Sequence, residues 1–86
     1  MPGIVTSNVE VVQVTPFGVW LAWGEEELFL DHDLFPWFRH APVEKIFDVV
    51  EESDGHFYWP ELDVDLDVDR IRHPDRYPLI ARTPPQ

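Results

Sequence analysis

The most regular pattern in the chain is a strict alternation in its last third. Leu62, Val64, Leu66 and Val68 interleave with Asp63, Asp65, Asp67 and Asp69. On a strand, a period of two turns the aliphatic residues inward and the carboxylates outward, with successive members of a face about 6.6 Å apart. Trp59-Pro60 marks where this stretch begins, because proline lacks the amide donor that a continuing ladder needs. Upstream, Asn8 to Val14 alternates loosely, Val9 and Val11 opposing Val12 and Val14, and predicts a strand with both faces at least partly covered. Thr15-Pro16 breaks it. Phe17 to Trp23 predicts a second strand, with Phe17, Val19, Leu21 and Trp23 on one face and Gly18, Trp20 and Ala22 on the other. A turn at Gly24-Glu25 leads to a third strand, Glu27 to Asp31. Such short connections make the three an antiparallel meander.

The period then changes. Asp33 predicts the N-cap of a short helix carrying Leu34, Phe35, Trp37 and Phe38, with Pro36 in its first turn. His40-Ala41-Pro42 closes it, and Val43 to Lys45 adds a single turn. Ile46 to Ser53 and His56 to Trp59 predict a hairpin about Asp54-Gly55, a pair suited to a type I′ turn. That register sets Glu52 opposite Phe57 and Val50 opposite Trp59. Asp69 to His73 predicts one helical turn before Pro74, and Tyr77, Leu79 and Ile80 are expected to pin a proline-rich tail. The expected fold is α+β: a small antiparallel meander of three strands, a short helix, a β-hairpin and an irregular C-terminal segment. Residues 1–86 form one domain, with an ordered core over about 8–82.

Composition sharpens this picture. In 86 residues the core is thin, and six Phe, four Trp and two Tyr are the large side chains available to fill it. Cysteine is absent, so no disulfide or thiolate chemistry is available. No apolar run approaches a membrane span, and Met1-Pro2-Gly3-Ile4 lacks the layout of a secretory signal, so a cytoplasmic protein is expected. Seventeen acids face six Lys and Arg, a net charge of −11. Ten of those acids fall between Glu44 and Asp69, where Lys45 is the one Lys or Arg. Such a field repels phosphate backbones and anionic lipid, which argues against direct nucleic-acid or membrane binding.

The carboxylate stripe is expected to be exposed and loosely neutralised by Arg70, Arg72, Arg76 and Arg82. A calcium loop fits at Asp63, Asp65 and Asp67 but fails at Val68, where glycine is required, and at Pro74, where a bidentate glutamate is required. Neighbouring aspartates on one exposed face lack the contrasting environments that acid–base catalysis needs. His32, His40, His56 and His73 have no metal-ligand spacing, Ser7 and Ser53 no nucleophile motif, and the glycines no phosphate-cradling pattern. No catalytic, cofactor-binding or metal residue is therefore assigned. The interaction candidates are Trp20, Trp23, Phe29, Trp37, Phe38 and Trp59, with Asp63, Asp65 and Asp67; Trp59 is expected to anchor a core or an interface. Two other readings stay open: a small-ligand binder or enzyme using Asp63, Asp65 and a histidine, and a DNA mimic, against which the basic tail counts.

Leu34-Phe35-Pro36-Trp37-Phe38, the segment from Trp59 to Leu66, and Ile71-Arg72-His73-Pro74-Asp75-Arg76-Tyr77-Pro78-Leu79 together resemble bacterial proteins of domain-of-unknown-function family 2442. The likeness runs from about Asn8 to Arg82. It implies a small α+β domain without known catalytic residues. It also implies, for some members, an antitoxin-side role beside a small basic protein and, for others, fusion to a DNA-binding helix-turn-helix, which is not expected here. The resulting expectation is a non-enzymatic acidic interaction module, forming a dimer that buries Trp20 or Trp23 with Phe29 or Phe38.

Overall fold

Alternation does build the first sheet. In the computed structural model, which describes residues 8–76, strands β1 (Val9–Val14), β2 (Gly18–Trp23) and β3 (Glu26–Asp31) form an antiparallel meander in the order β1-β2-β3. Val9, Val11, Val19, Leu21, Leu28 and Leu30 are buried on its inner face. On the outer face Trp20 sits opposite Phe29, and their rings lie 4.8 Å apart. Phe29 lies over Gly18, where any Cβ would stand 2.4 Å from the Leu30 carbonyl oxygen. Phe17 departs from the expected inner face and is 76% exposed. The strand starts one residue later because Thr15 Oγ1 accepts from both Phe17 N and Gly18 N, folding residues 15–18 into a turn.

The expected helix at residues 34–38 is only a 3-10 turn, Pro36–Phe38. Asp33 does not cap it. The Asp31 carboxylate accepts from Asp33 N at 2.7 Å, and the Asp31 carbonyl accepts from Leu34 N and Phe35 N. Asp33 instead pairs with Arg39 at 2.5 Å. Helix α1 (Val43–Phe47) takes Ile46 and Phe47 from the expected fourth strand. Pro42, extended at the helix start, offers its carbonyl to Lys45 N and Ile46 N, and the helical turn carries Ile46 into the core while Phe47 stays exposed.

The second sheet is a meander of β4 (Val50–Ser53), β5 (His56–Trp59) and β6 (Val64–Asp67) in that order, so the hairpin gains the acidic segment as its third strand. Its register differs from expectation by one residue: Val50 opposes Tyr58 and Glu51 opposes Phe57. Among the described turn residues Gly55 has φ +75° but Asp54 does not have positive φ, so a type I′ turn is not formed. The ladder recovers through a bulge between Glu51 and Ser53. Helix α2 (Val68–Arg72) and a 3-10 turn (Pro74–Arg76) follow.

Buried residues of both sheets, with Phe35, Phe38, Ile46, Val49 and Ile71, form one core cluster. Trp59 is its largest member, 0% exposed; its indole N–H donates to the Ile46 carbonyl at 2.8 Å, and its ring meets Phe38 at 4.9 Å. Trp23 bridges the sheets, edge-on to Phe57, with its N–H donating to Glu51 Oε2 at 3.0 Å. The same oxygen accepts from Gly55 N, so one carboxylate holds both the hairpin turn and the neighbouring sheet. No helix among the described residues is long and apolar enough to cross a membrane. The contacts expected of Tyr77, Leu79, Ile80 and Arg82 lie outside the described residues.

Candidate functional site

The acidic alternation does not survive as a single stripe. Asp63 adopts φ 55° in the turn before β6, so only Asp65 and Asp67 stand on the strand, while Asp69 is helical. Val64 and Leu66 are buried as expected, and Leu62 and Val68 pack partly against the core. Asp63 and Asp65 are exposed. Asp67 caps α2 instead, its carboxylate accepting from Arg70 N at 2.8 Å. The arginines follow only part of the expected pattern: Arg70 lines a groove with Asp63 and Asp65, and Arg82 lies outside the described residues. Arg76 approaches Asp69 at 3.6 Å, but Arg72 reaches across to Glu26 on β3 and lies 5.8 Å over the Trp23 ring.

The outer face of the second sheet gathers carboxylates around Tyr58. Tyr58 lies opposite Asp65, and His56 opposite Asp67. His56 Nε2 meets Asp65 Oδ1 at 2.5 Å, and the Tyr58 hydroxyl donates to Asp63 Oδ1 at 3.3 Å. The Tyr58 phenol is raised above its ordinary value of 10.0, first by lost hydration, then by the charge of Asp63 and its hydrogen bond, then by Glu52 and Asp65. A groove of about 270 Å³ beside this face is lined by Trp37, Asp63, Val64, Asp65, Leu66 and Arg70. Trp37, 40% exposed, forms one wall.

The structure thus sorts the candidate residues. Trp37, Asp63 and Asp65 meet at the groove, with Asp67 one strand position beyond. Trp20 and Phe29 form a separate half-buried pair on the first sheet. Trp23 is spent between the sheets, and Phe38 and Trp59 are enclosed in the core. Sequence reasoning missed the inward turn of Glu51, which only the bulge produces, and the burial of His32. The His32 Nε2 bonds the Thr15 carbonyl at 3.1 Å, which makes it the protonated nitrogen. Its Nδ1 is buried without a partner among the described residues. A cleft of about 300 Å³ lies beside it, lined by Pro16, Phe17, Asp31, His32, Asp33 and Arg39. The enclosed Nδ1 is out of a substrate's reach, and Asp33 is occupied by Arg39. No group of three or more His, Asp and Glu among the described residues is placed to hold a metal ion.

These features define a small α+β domain of two three-stranded antiparallel sheets with an acidic outer face. The sequence profile of the family described as "protein of unknown function (DUF2442)" matches residues 9–77, and the chain belongs to that family. No curated protein and no solved structure matches it.

Proposed function

We propose that the protein works without catalysis, as an acidic interaction module that binds a small basic protein, in the manner of the antitoxin side of such a pair. The observation that supports this reading is the gathering of carboxylates, Asp63, Glu52 and Asp65, around Tyr58. Lost hydration, then Asp63, Glu52 and Asp65, push its phenol up, while Arg72 is engaged with Glu26 and Arg76 approaches Asp69. An exposed negative face beside a half-exposed tryptophan suits electrostatic capture followed by apolar anchoring. The absence of cysteine fits a reducing cytoplasm. Self-association is the second element of the proposal. Of the residues expected at a dimer contact, Trp20 and Phe29 remain half-exposed on the outer face of the first sheet.

The decisive experiment compares the wild-type protein with an Asp63→Asn/Asp65→Asn variant as bait for a cell extract, with bound proteins identified by mass spectrometry. A basic protein retained by the wild type, released by salt and lost with the variant is the expected result. Retention that ignores both salt and the two carboxylates would end the electrostatic reading. Light scattering tests the dimer: a monomeric mass at micromolar concentration, unchanged by Trp20→Ala, would remove that element.

A further inference from the structure

We propose that the open side of β6 is a docking edge, onto which an extended segment of a basic protein adds as a fourth strand of the second sheet; this rests on the reading that the partner is basic. The argument begins with the backbone. Val68 N donates to the Gly55 carbonyl at 2.8 Å, and the β5–β6 register pairs Phe57 with Leu66, Tyr58 with Asp65 and Trp59 with Val64. In an antiparallel ladder, pairs that exchange both hydrogen bonds alternate with pairs that exchange none. Carrying the Gly55–Val68 bond through this register makes Phe57–Leu66 and Trp59–Val64 the bonded pairs. Asp65 therefore turns its N–H and its C=O away from β5, as Asp67 does its N–H. β6 is the last strand of its sheet, so these groups face its open side.

The groove lies against that side. It touches inward-facing Val64 and Leu66 as well as outward-facing Asp63 and Asp65, and a pocket that meets both faces of a strand lies along its flank. Trp37 and Arg70 form its far wall. Elsewhere α1 lies near β1, and α2 near both β3 and the end of β6 that it continues.

Charge selects the occupant. Acidic side chains on an edge deter pairing with neutral, acidic or identical strands. A second copy of β6 would bring the Asp65 carboxylates of the two chains together, and like charges across a strand pair are destabilising. A strand carrying lysine or arginine at alternate positions meets the opposite situation. Its basic residues would face Asp63 and Asp65, and its intervening apolar residues would enter the groove against Trp37, Val64 and Leu66. The recognised segment is thus extended and alternates basic with apolar residues.

The test uses the whole chain, isotopically labelled, and a short capped peptide alternating lysine with valine. A control peptide has the same residues with the lysines grouped at one end. The alternating peptide should bind more tightly than the control and protect the Asp65 amide from hydrogen exchange. Trp37→Ala, a change at an exposed position, should weaken it about tenfold or more. Asp65→Lys should abolish binding, and a glutamate–valine peptide should restore it. Binding that leaves the Asp65 amide unprotected, or that Trp37→Ala does not weaken, would overturn the docking edge while leaving an acidic binding face. Failure of both lysine peptides to bind at physiological salt would overturn the edge and the basic-partner reading together.

Discussion

Replacing Trp59 separates two contributions that the fold combines in one side chain. The indole is fully enclosed, stacked near Phe38 and bonded through its N–H to the carbonyl of Ile46 in α1. Trp59→Ala removes all three interactions. Truncating a buried tryptophan costs about 3–5 kcal/mol, and leaving a buried carbonyl without its donor costs about 1–3 kcal/mol more. A domain of 86 residues has a stability of about 4–13 kcal/mol, so this variant is expected to populate unfolded chain at 25 °C. Trp59→Phe keeps most of the apolar contact and loses the hydrogen bond, at a cost of about 1–3 kcal/mol. At about 4–8 °C per kcal/mol for a domain this small, its melting temperature should fall by roughly 4–24 °C. Urea unfolding followed by far-ultraviolet circular dichroism measures both, since Trp20, Trp23 and Trp37 would obscure a fluorescence readout. A Trp59→Ala loss below about 1 kcal/mol would refute its place in the core. A Trp59→Phe loss below about 0.5 kcal/mol would refute the hydrogen bond as a tie between α1 and the second sheet.

Glu51→Ala should cost about 2–4 kcal/mol, because the carboxylate accepts from both Trp23 Nε1 and Gly55 N. Glu51→Gln, which keeps an acceptor oxygen, should cost clearly less; equal losses in urea titration would show that Glu51 acts by packing alone. Gly55→Ala should destabilise by about 1–2 kcal/mol, since φ is +75° and the new Cβ would stand 3.0 Å from Val68 Cγ1; a neutral result would mean that the turn is built differently. The Tyr58 phenol should titrate above the ordinary range, so the stability it contributes is complete below pH 10.0 and is lost as pH rises through its folded value. Ultraviolet absorbance titration should show a late phenolate phase that disappears in Tyr58→Phe and moves down in Asp63→Asn, and an unmoved phase would break the link between Tyr58 and Asp63.

The sequence was most legible where period and environment agreed. Val9, Val11, Val19, Leu21, Leu28 and Leu30 alternate, and the first sheet buries them as read. It was least legible where local hydrogen bonding competes with period. Thr15 pulls Phe17 out of β2, Asp31 rather than Asp33 holds the turn that follows β3, and Pro42 starts a helix inside an apparent strand. The Asp54-Gly55 signal located the hairpin but not its register. Turn type depends on the conformation of Asp54, and a single bulge there exchanged Val50 for Glu51 on the inner face. The site was partly visible for the same reason. Asp63 and Asp65 stood out by charge, but their meeting with Trp37 depends on a tertiary contact that spacing alone does not encode.

The two proposed contacts fall on different sheets. On the outer face of the first sheet the aromatic pair Trp20 and Phe29 is half-exposed. On the second sheet the exposed groups are carboxylates, and β6 keeps its outer side unpaired by neighbouring strands. Unpaired backbone invites indiscriminate pairing, and net charge alone discourages it poorly once salt screens beyond about 8 Å. Asp63 and Asp65 act within that distance, at the edge itself, where screening is weakest. In the proposed docking, their placement would admit a basic strand and deter others. A dimer through Trp20 and Phe29 and a basic strand on β6 would use different sheets, so one binding event need not displace the other. The variants separate them: Trp20→Ala should change the mass without changing peptide binding, and Trp37→Ala should do the reverse.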